Sequence, residues 1–185
     1  MKFKFTLFLM AAALFFSGCE DKKPKVAQSV LLEEPSVYNL KDLSGTNYEV
    51  SANEKGFTIK GHENKVIILD FFATWCPPCK ATAPHLANLQ KKYGDKILIL
   101  GVLLESDKPN SYVQKFVDKY GADYAISNAE DNMDLSSEVA KNINLPRSFP
   151  IPLMAMYKKG KYYTHYIGAI PEEMIESDIN DALKL

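Results

Sequence analysis

The chain has 185 residues, of which 46% are hydrophobic and 24% charged, and its formal net charge is −1. That composition suits a globular protein with one well-buried core, and no repeat or low-complexity tract interrupts it. The near-neutral balance, without a basic run interleaved with aromatics beyond the N-terminus, argues against a nucleic-acid partner.

The first segment reads as a targeting signal. Lys2 and Lys4 precede the apolar stretch Leu7–Phe16, which is short for a membrane span and of the length of a signal-peptide core. Ser17-Gly18-Cys19 then closes it with two small residues and a cysteine. This resembles a bacterial lipoprotein signal, with cleavage before Cys19 and lipid on its thiol, although Phe16 stands where leucine is usual. A plain secretory signal or an uncleaved anchor is the competing reading, and either one also exports the body of the chain. Residues 1–18 are thus expected to be a signal, 19–35 a tether, and 36–185 the folded domain. Lipid on Cys19 would hold the protein at a membrane surface, since an acyl chain contributes about 0.8 kcal/mol per buried methylene. Lys22, Lys23 and Lys25 could help that contact, but a solvated linker accounts for them equally well.

From Ser36 to Lys60, short strand-like pieces alternate with turn residues. Val37–Leu40 and Tyr48–Val50 flank Ser44-Gly45-Thr46-Asn47, which predicts a hairpin, and Gly56–Lys60 could add a strand. Val66–Phe72 is continuously apolar except for Asp70, the pattern of a strand covered on both faces. Cys79, Ala83, Leu86, Leu89 and Tyr93 follow at helical spacing, with Pro84 expected to kink the helix. Ile97–Leu104 predicts a second buried strand, Asn110–Tyr120 a helix ended by Gly121, and Tyr124–Ile126 a short strand. Leu135–Ile143 reads as a weak helix. Leu153–Tyr157 and Tyr162–Ile167 form a hairpin around Lys158–Lys161, and Pro171–Leu185 a last helix. Alternating strand and helix units predict a layered α/β sheet with the hairpin antiparallel at one edge.

The chemistry concentrates in Trp75-Cys76-Pro77-Pro78-Cys79-Lys80, at the junction of the buried strand and the helix. A cysteine at a helix N-terminus meets unpaired N–H groups and the positive end of the dipole, which favour its thiolate. Cys76 is therefore assigned as the nucleophile toward disulfides, and Cys79, one turn on, as the thiol that resolves the mixed disulfide. Pro78 suits the first turn, where its missing N–H costs little. Structural zinc usually takes four ligands, and there is neither a second cysteine pair nor ligand spacing among His62, His85 and His165. A c-type haem site would need histidine at position 80, which is Lys80. A permanent structural bridge across so small a loop would constrain the unfolded chain little. Redox chemistry is the leading reading, with copper handling and a structural role as the others. Met154 and Met156 could suggest soft copper ligands, but an apolar hairpin strand favours core packing. His85 reads as a surface residue.

Asp70-Phe71-Phe72-Ala73-Thr74-Trp75-Cys76-Pro77-Pro78-Cys79-Lys80 with Pro84 resembles the active-site strand and helix of thioredoxin-fold proteins, especially the membrane-tethered TlpA/ResA type. The similarity covers about Val37–Leu185, including Leu40–Gly45 in the lead-in hairpin and the extra segment Asn110–Ile143. It implies a thioredoxin fold: a central mixed β-sheet flanked by helices, with an N-terminal β-hairpin extension and an inserted α(β) segment. It also implies a cis-proline opposite the cysteines. Pro152 after Ile151 matches, with Pro150 after Phe149 as the other candidate, and the Ile151 backbone would pair with an extended substrate. Asp70 matches a buried acid that assists proton transfer at Cys79. In so apolar a run its pKa should rise, unless it sits at a strand end facing water. Trp75 would shield the cysteines and contact substrate, and Lys80 would lie beside them. Two positions depart from the type: Thr82 stands where a glutamate is frequent, and Asp70 where many members have a neutral residue.

The sequence thus leads to a lipid-anchored protein-disulfide oxidoreductase on the periplasmic side of a bacterial envelope. It is expected to reduce protein disulfides, apocytochrome c among the candidates, and to draw electrons from a membrane donor. The alternatives are a disulfide-forming oxidant and a non-catalytic copper-binding module. No metal and no cofactor beyond the Cys76–Cys79 redox disulfide are expected, and the protein is expected to be a monomer.

Overall fold

A computed structural model of the protein describes residues 35–53 and 56–185. The signal segment, Cys19 and nearly all of the 19–35 tether therefore lie outside the described residues.

The centre of the fold is β4 (Val66–Phe72), every residue of which is buried. It pairs in parallel with β5 (Ile97–Leu103), also wholly buried, and β5 pairs in parallel with β6 (Ala125–Ser127). On its other side β4 pairs antiparallel with β7 (Leu153–Lys158), and β7 with β8 (Lys161–Ile167). The order β6-β5-β4-β7-β8 is the expected mixed sheet, with the hairpin at one edge. Continuous burial of β4 and β5 explains their unbroken apolar runs, because layers cover both faces.

The two faces of β4 meet different partners. Val66 and Ile68 pack with Leu86 and Leu89 of α1 (Pro77–Tyr93) and with Ile175 and Ile179 of α4 (Glu172–Leu183). Phe72 joins Val113 and Phe116 of α2 (Asn110–Tyr120). On the opposite face Ile67, Leu69 and Phe71 pack with Leu135 and Val139 of α3 (Asn132–Asn142) and with a second sheet. That sheet is β1 (Ser36–Lys41), β2 (Asn47–Asn53) and β3 (Gly56–Ile59), all antiparallel, so the expected lead-in hairpin is extended by a third strand. It is tied to the main sheet at two places: Leu43 N–H donates to the Ile126 carbonyl at 3.1 Å, and Phe57 N–H to that of Gly160 at 3.0 Å.

Among the boundaries that differ from the sequence reading are the starts of two helices. The helix expected over Leu135–Ile143 begins at Asn132. Asn132 is buried as a polar hub, donating to the Leu103 and Ser127 carbonyls at 3.0 and 2.9 Å, which apolar periodicity cannot register. Helix α1 starts at Pro77 and runs unbroken through Pro84 to Tyr93. The proline removes one backbone donor without ending the helix.

Candidate active site

Cys76 is the N-cap residue of α1, in an extended conformation, and the next two positions are Pro77 and Pro78. Prolines fit there because helix N-terminal N–H groups have no intrahelical acceptor, and their fixed φ is already helical. The first N–H that needs a partner belongs to Cys79, and it donates to Cys76 Sγ at 3.3 Å. Cys76 and Cys79 are joined in a disulfide, with their Cα atoms 5.3 Å apart. The backbone thus aims a helix N-terminus at one sulfur and leaves the other one turn inside, which is the asymmetry the sequence assigns.

The pair is set into an apolar cluster with Phe72, Ala83, Leu103 and Phe116, and Ile151 packs against it. Cys76 and Cys79 are only 2% and 3% exposed, whereas Trp75 is 64% exposed. Trp75 is thus exposed at the pair, while the apolar cluster packs directly around both cysteines. Lys80 lies at the surface as expected, its Nζ 3.4 Å from the Trp75 carbonyl and 5.5 Å from the centre of the Tyr120 ring.

The Ile151–Pro152 peptide is cis, which selects Pro152 over Pro150. Cys76 Sγ lies 3.7 Å from the Ile151 carbonyl oxygen. Neighbours hold this segment from both sides: Gly168 N–H donates to the Pro152 carbonyl at 2.9 Å, and the Phe149 ring packs edge-on against Phe71 at 5.8 Å. Residues 75 positions apart in sequence thus meet at the sulfur, and the Ile151 backbone lies at its side.

Asp70 is 3% exposed, which removes the reading of an acid facing water at a strand end. It lies on β4 between Ile68, which packs on Leu86 and Leu89, and Phe72, which packs with the cysteines. By strand alternation the carboxylate is therefore on the α1 face, the face on which Phe72 packs with the Cys76–Cys79 pair. Burial pushes its pKa up to about 7, and the hydroxyl of Tyr124, donating to Oδ2 at 3.0 Å, pulls against that rise. Oδ1 is buried without a hydrogen-bond partner among the described residues. Burial and the neighbouring carboxylate raise the Tyr124 hydroxyl well above its ordinary range, so it is present as a donor. Thr82, also buried, donates to the Pro78 carbonyl at 3.0 Å and is satisfied within its own helix. Met154 and Met156 are fully buried core residues, as expected from their strand.

Sequence reasoning missed two groups. Tyr124 read only as part of a short strand, and nothing local ties it to Asp70. Glu105 was not singled out, yet the Thr74 N–H and hydroxyl donate to its Oε2 at 2.5 and 2.6 Å, fixing the residue just before Trp75. Lys108 Nζ is 3.9 Å from the other carboxylate oxygen, and the Tyr112 hydroxyl is 3.1 Å from that of Thr74. A usable signal existed for Glu105: β4 and β5 are parallel neighbours, so residues just past their C-terminal ends must come together.

The Redoxin family profile matches residues 24–157, well over half of the chain. The thiol-disulfide oxidoreductase ResA of Halalkalibacterium halodurans is 25% identical over 148 residues, covering 78% of this chain and 72% of that protein. ResA of Bacillus cereus is 25% identical over 173 residues, covering 92% of this chain and 88% of that protein. Among solved structures, a thiol:disulfide interchange protein of the thioredoxin family from Chlorobium tepidum superposes with a TM-score of 0.63. It is 17% identical and covers 81% of this chain and 96% of that one, a likeness of fold.

Proposed function

The chain belongs to the Redoxin family and is a protein-disulfide oxidoreductase of the TlpA/ResA type, and from that premise we propose that it is a membrane-tethered reductant of protein disulfides outside the cytoplasm. The observation that carries the reading is the disulfide at the start of α1: one sulfur accepts a helix N-terminal N–H and lies beside the Ile151 carbonyl next to a cis-proline.

In this reading the reduced protein presents the Cys76 thiolate. The client lies extended along the Ile151 backbone, pairing in the manner of an added strand, with Trp75 as the exposed apolar contact. Cys76 sulfur attacks one client sulfur, the client S–S bond breaks, and the other client sulfur leaves as a thiolate. Cys79 then passes its thiol proton to Asp70 and attacks Cys76 Sγ in the mixed disulfide. The Cys76–client bond breaks, the second client thiolate leaves, and the Cys76–Cys79 bond forms. Two electrons have moved to the client, and a membrane donor returns two to the protein. No cofactor beyond the two sulfurs takes part. Cys19 carries the lipid, and apocytochrome c is the client class that the resemblance suggests. In this reading the tether is the lipid, and no helix among the described residues is long and apolar enough to cross a membrane.

Wild type and Cys76→Ser are compared in an insulin-reduction assay with a chemical dithiol as donor. Wild type is expected to precipitate the insulin chains and Cys76→Ser to match the dithiol alone. Equal activity in the two overturns the reading. Equilibration with glutathione fixes the direction. A reductase should sit nearer the roughly −270 mV of a reducing dithiol than the roughly −120 mV of a strong oxidant, and the latter value would make the protein a disulfide-forming enzyme. Metabolic labelling with palmitate should mark wild type and not Cys19→Ala. Label on both variants, or on neither, removes the lipid anchor.

A further inference from the structure

Tyr124 is separated from Asp70 by 54 positions, yet its hydroxyl donates to the Asp70 carboxylate at 3.0 Å. The residue opposite Asp70 on β5 is Gly101. A Cβ at Gly101 would lie 3.1 Å from Tyr124 Cε2, 3.0 Å from Ile126 Cγ1 and 3.3 Å from Phe72 Cε1. Those separations are tighter than ordinary van der Waals contact, so a side chain there would require the tyrosine ring, Ile126 or Phe72 to give by a few tenths of an ångström. The missing side chain at one strand position is what lets an aromatic ring from the next crossover reach the buried acid. The ring packs against both the cysteine cluster and the α1–α4 core, which fixes its direction.

We infer that Tyr124 is a positioning residue for the exchange reaction: seated by Gly101, it orients the Asp70 carboxylate and holds it ready to take the proton of Cys79. The inference rests on the assignment of Asp70 as the acid–base group. Tyr124 gives one carboxylate oxygen a fixed donor, while Oδ1 has no hydrogen-bond partner and is the oxygen left for the proton. Cys76, Cys79 and Phe72 belong to the cluster against which Tyr124 and Tyr120 both pack, Lys80 and Lys119 lie over the Tyr120 ring at 5.5 and 5.4 Å, and opposite Asp70 on β7 stands the uncharged Met154. A donor to the ionised carboxylate favours that form, so Tyr124 widens the pH range in which Asp70 is an effective base. At resolution, Asp70 takes the Cys79 proton, the Cys79 sulfur attacks Cys76, and the client thiolate departs.

The test uses the full chain, reduced, and an aromatic disulfide whose thiolate product is coloured. The first thiolate released reports attack by Cys76, and the second reports resolution by Cys79. In Tyr124→Phe, which keeps the ring and removes only the hydroxyl, the first phase should keep its pH profile. The inflection of the second phase should move up by about one pH unit. Coincident second-phase profiles overturn the inference, and so does a slowing of the same size at every pH. Carbon NMR titration of the Asp70 carboxyl in the oxidised proteins must show the same upward displacement, and equal midpoints overturn it as well. Asp70→Asn separates the two levels. If it leaves the second-phase inflection in place, the acid–base assignment falls and this inference with it. If it removes the inflection while Tyr124→Phe does not move it, the inference alone fails.

Discussion

The two faces of β4 follow different rules. Ile67, Leu69 and Phe71 form one face, wholly apolar and buried against the second sheet and α3. On the other face, between Ile68 and Phe72, stands Asp70, an acid with one oxygen bonded and one buried without a partner. Both faces belong to the same seven residues, so local strand propensity does not distinguish them. One face is built for cohesion. The other gives up cohesion at a single position, on the face that packs with the cysteines, where a carboxylate whose pKa burial raises to about 7 is suited to handling a thiol proton. The contrast teaches that the cost of the active site is borne inside the core rather than at its rim.

Substitutions that remove packing from the cohesive face should have the largest effect on stability. Phe71→Ala deletes a fully buried ring held against Phe149, and should cost about 3–5 kcal/mol in a denaturant titration. A loss below about 1 kcal/mol would show that this face is loosely packed.

Asp70→Asn should move stability the other way, by on the order of 2–4 kcal/mol at pH 8. The direction follows from where the proton sits. Between the ordinary value of 3.8 and about 7, the folded protein holds a proton that the unfolded chain has lost. Wild type therefore loses stability as pH rises through that interval, and the penalty is complete above it. The two proteins should converge below about pH 4. The same variant should slow disulfide turnover near pH 7 by about tenfold to a hundredfold. Gain in stability without loss of turnover would break the link between the buried cost and the chemistry.

Smaller effects are expected at the loop that carries Trp75. Glu105→Gln weakens the acceptor of two Thr74 hydrogen bonds and should cost about 1–2 kcal/mol. Turnover should fall by less than in Asp70→Asn, because Glu105 touches the loop and not the sulfurs. Thr82→Val should be smallest of all, about 1 kcal/mol or less, since it removes one hydrogen bond within α1.

What could be read from sequence divides along the same line as the two faces. The unbroken run Val66–Phe72 announces a strand buried on both sides, and the helical stripe after Cys79 announces α1, because burial leaves a periodic trace. The Cys76–Cys79 assignment was legible because a helix N-terminus acts on whatever stands there. Pro152 was legible only through the resemblance, which implies a cis-proline just before the hairpin strand and left Pro150 as the other candidate. Tyr124 and Glu105 were not, since each acts through a contact made only when a crossover returns to the sheet. Asn132 escaped for a related reason: it is buried for its hydrogen bonds, and apolar periodicity is blind to those.

The central claim is that two sulfurs three positions apart in sequence have separate roles, and trapping tests it most directly. Cys79→Ser, expressed as the full chain in cells and recovered after acid quenching, should carry client proteins in mixed disulfides on Cys76 that a reductant releases. Cys76→Ser should carry none. Adducts on Cys79 in the Cys76→Ser protein, or none on Cys76 in Cys79→Ser, would contradict the account.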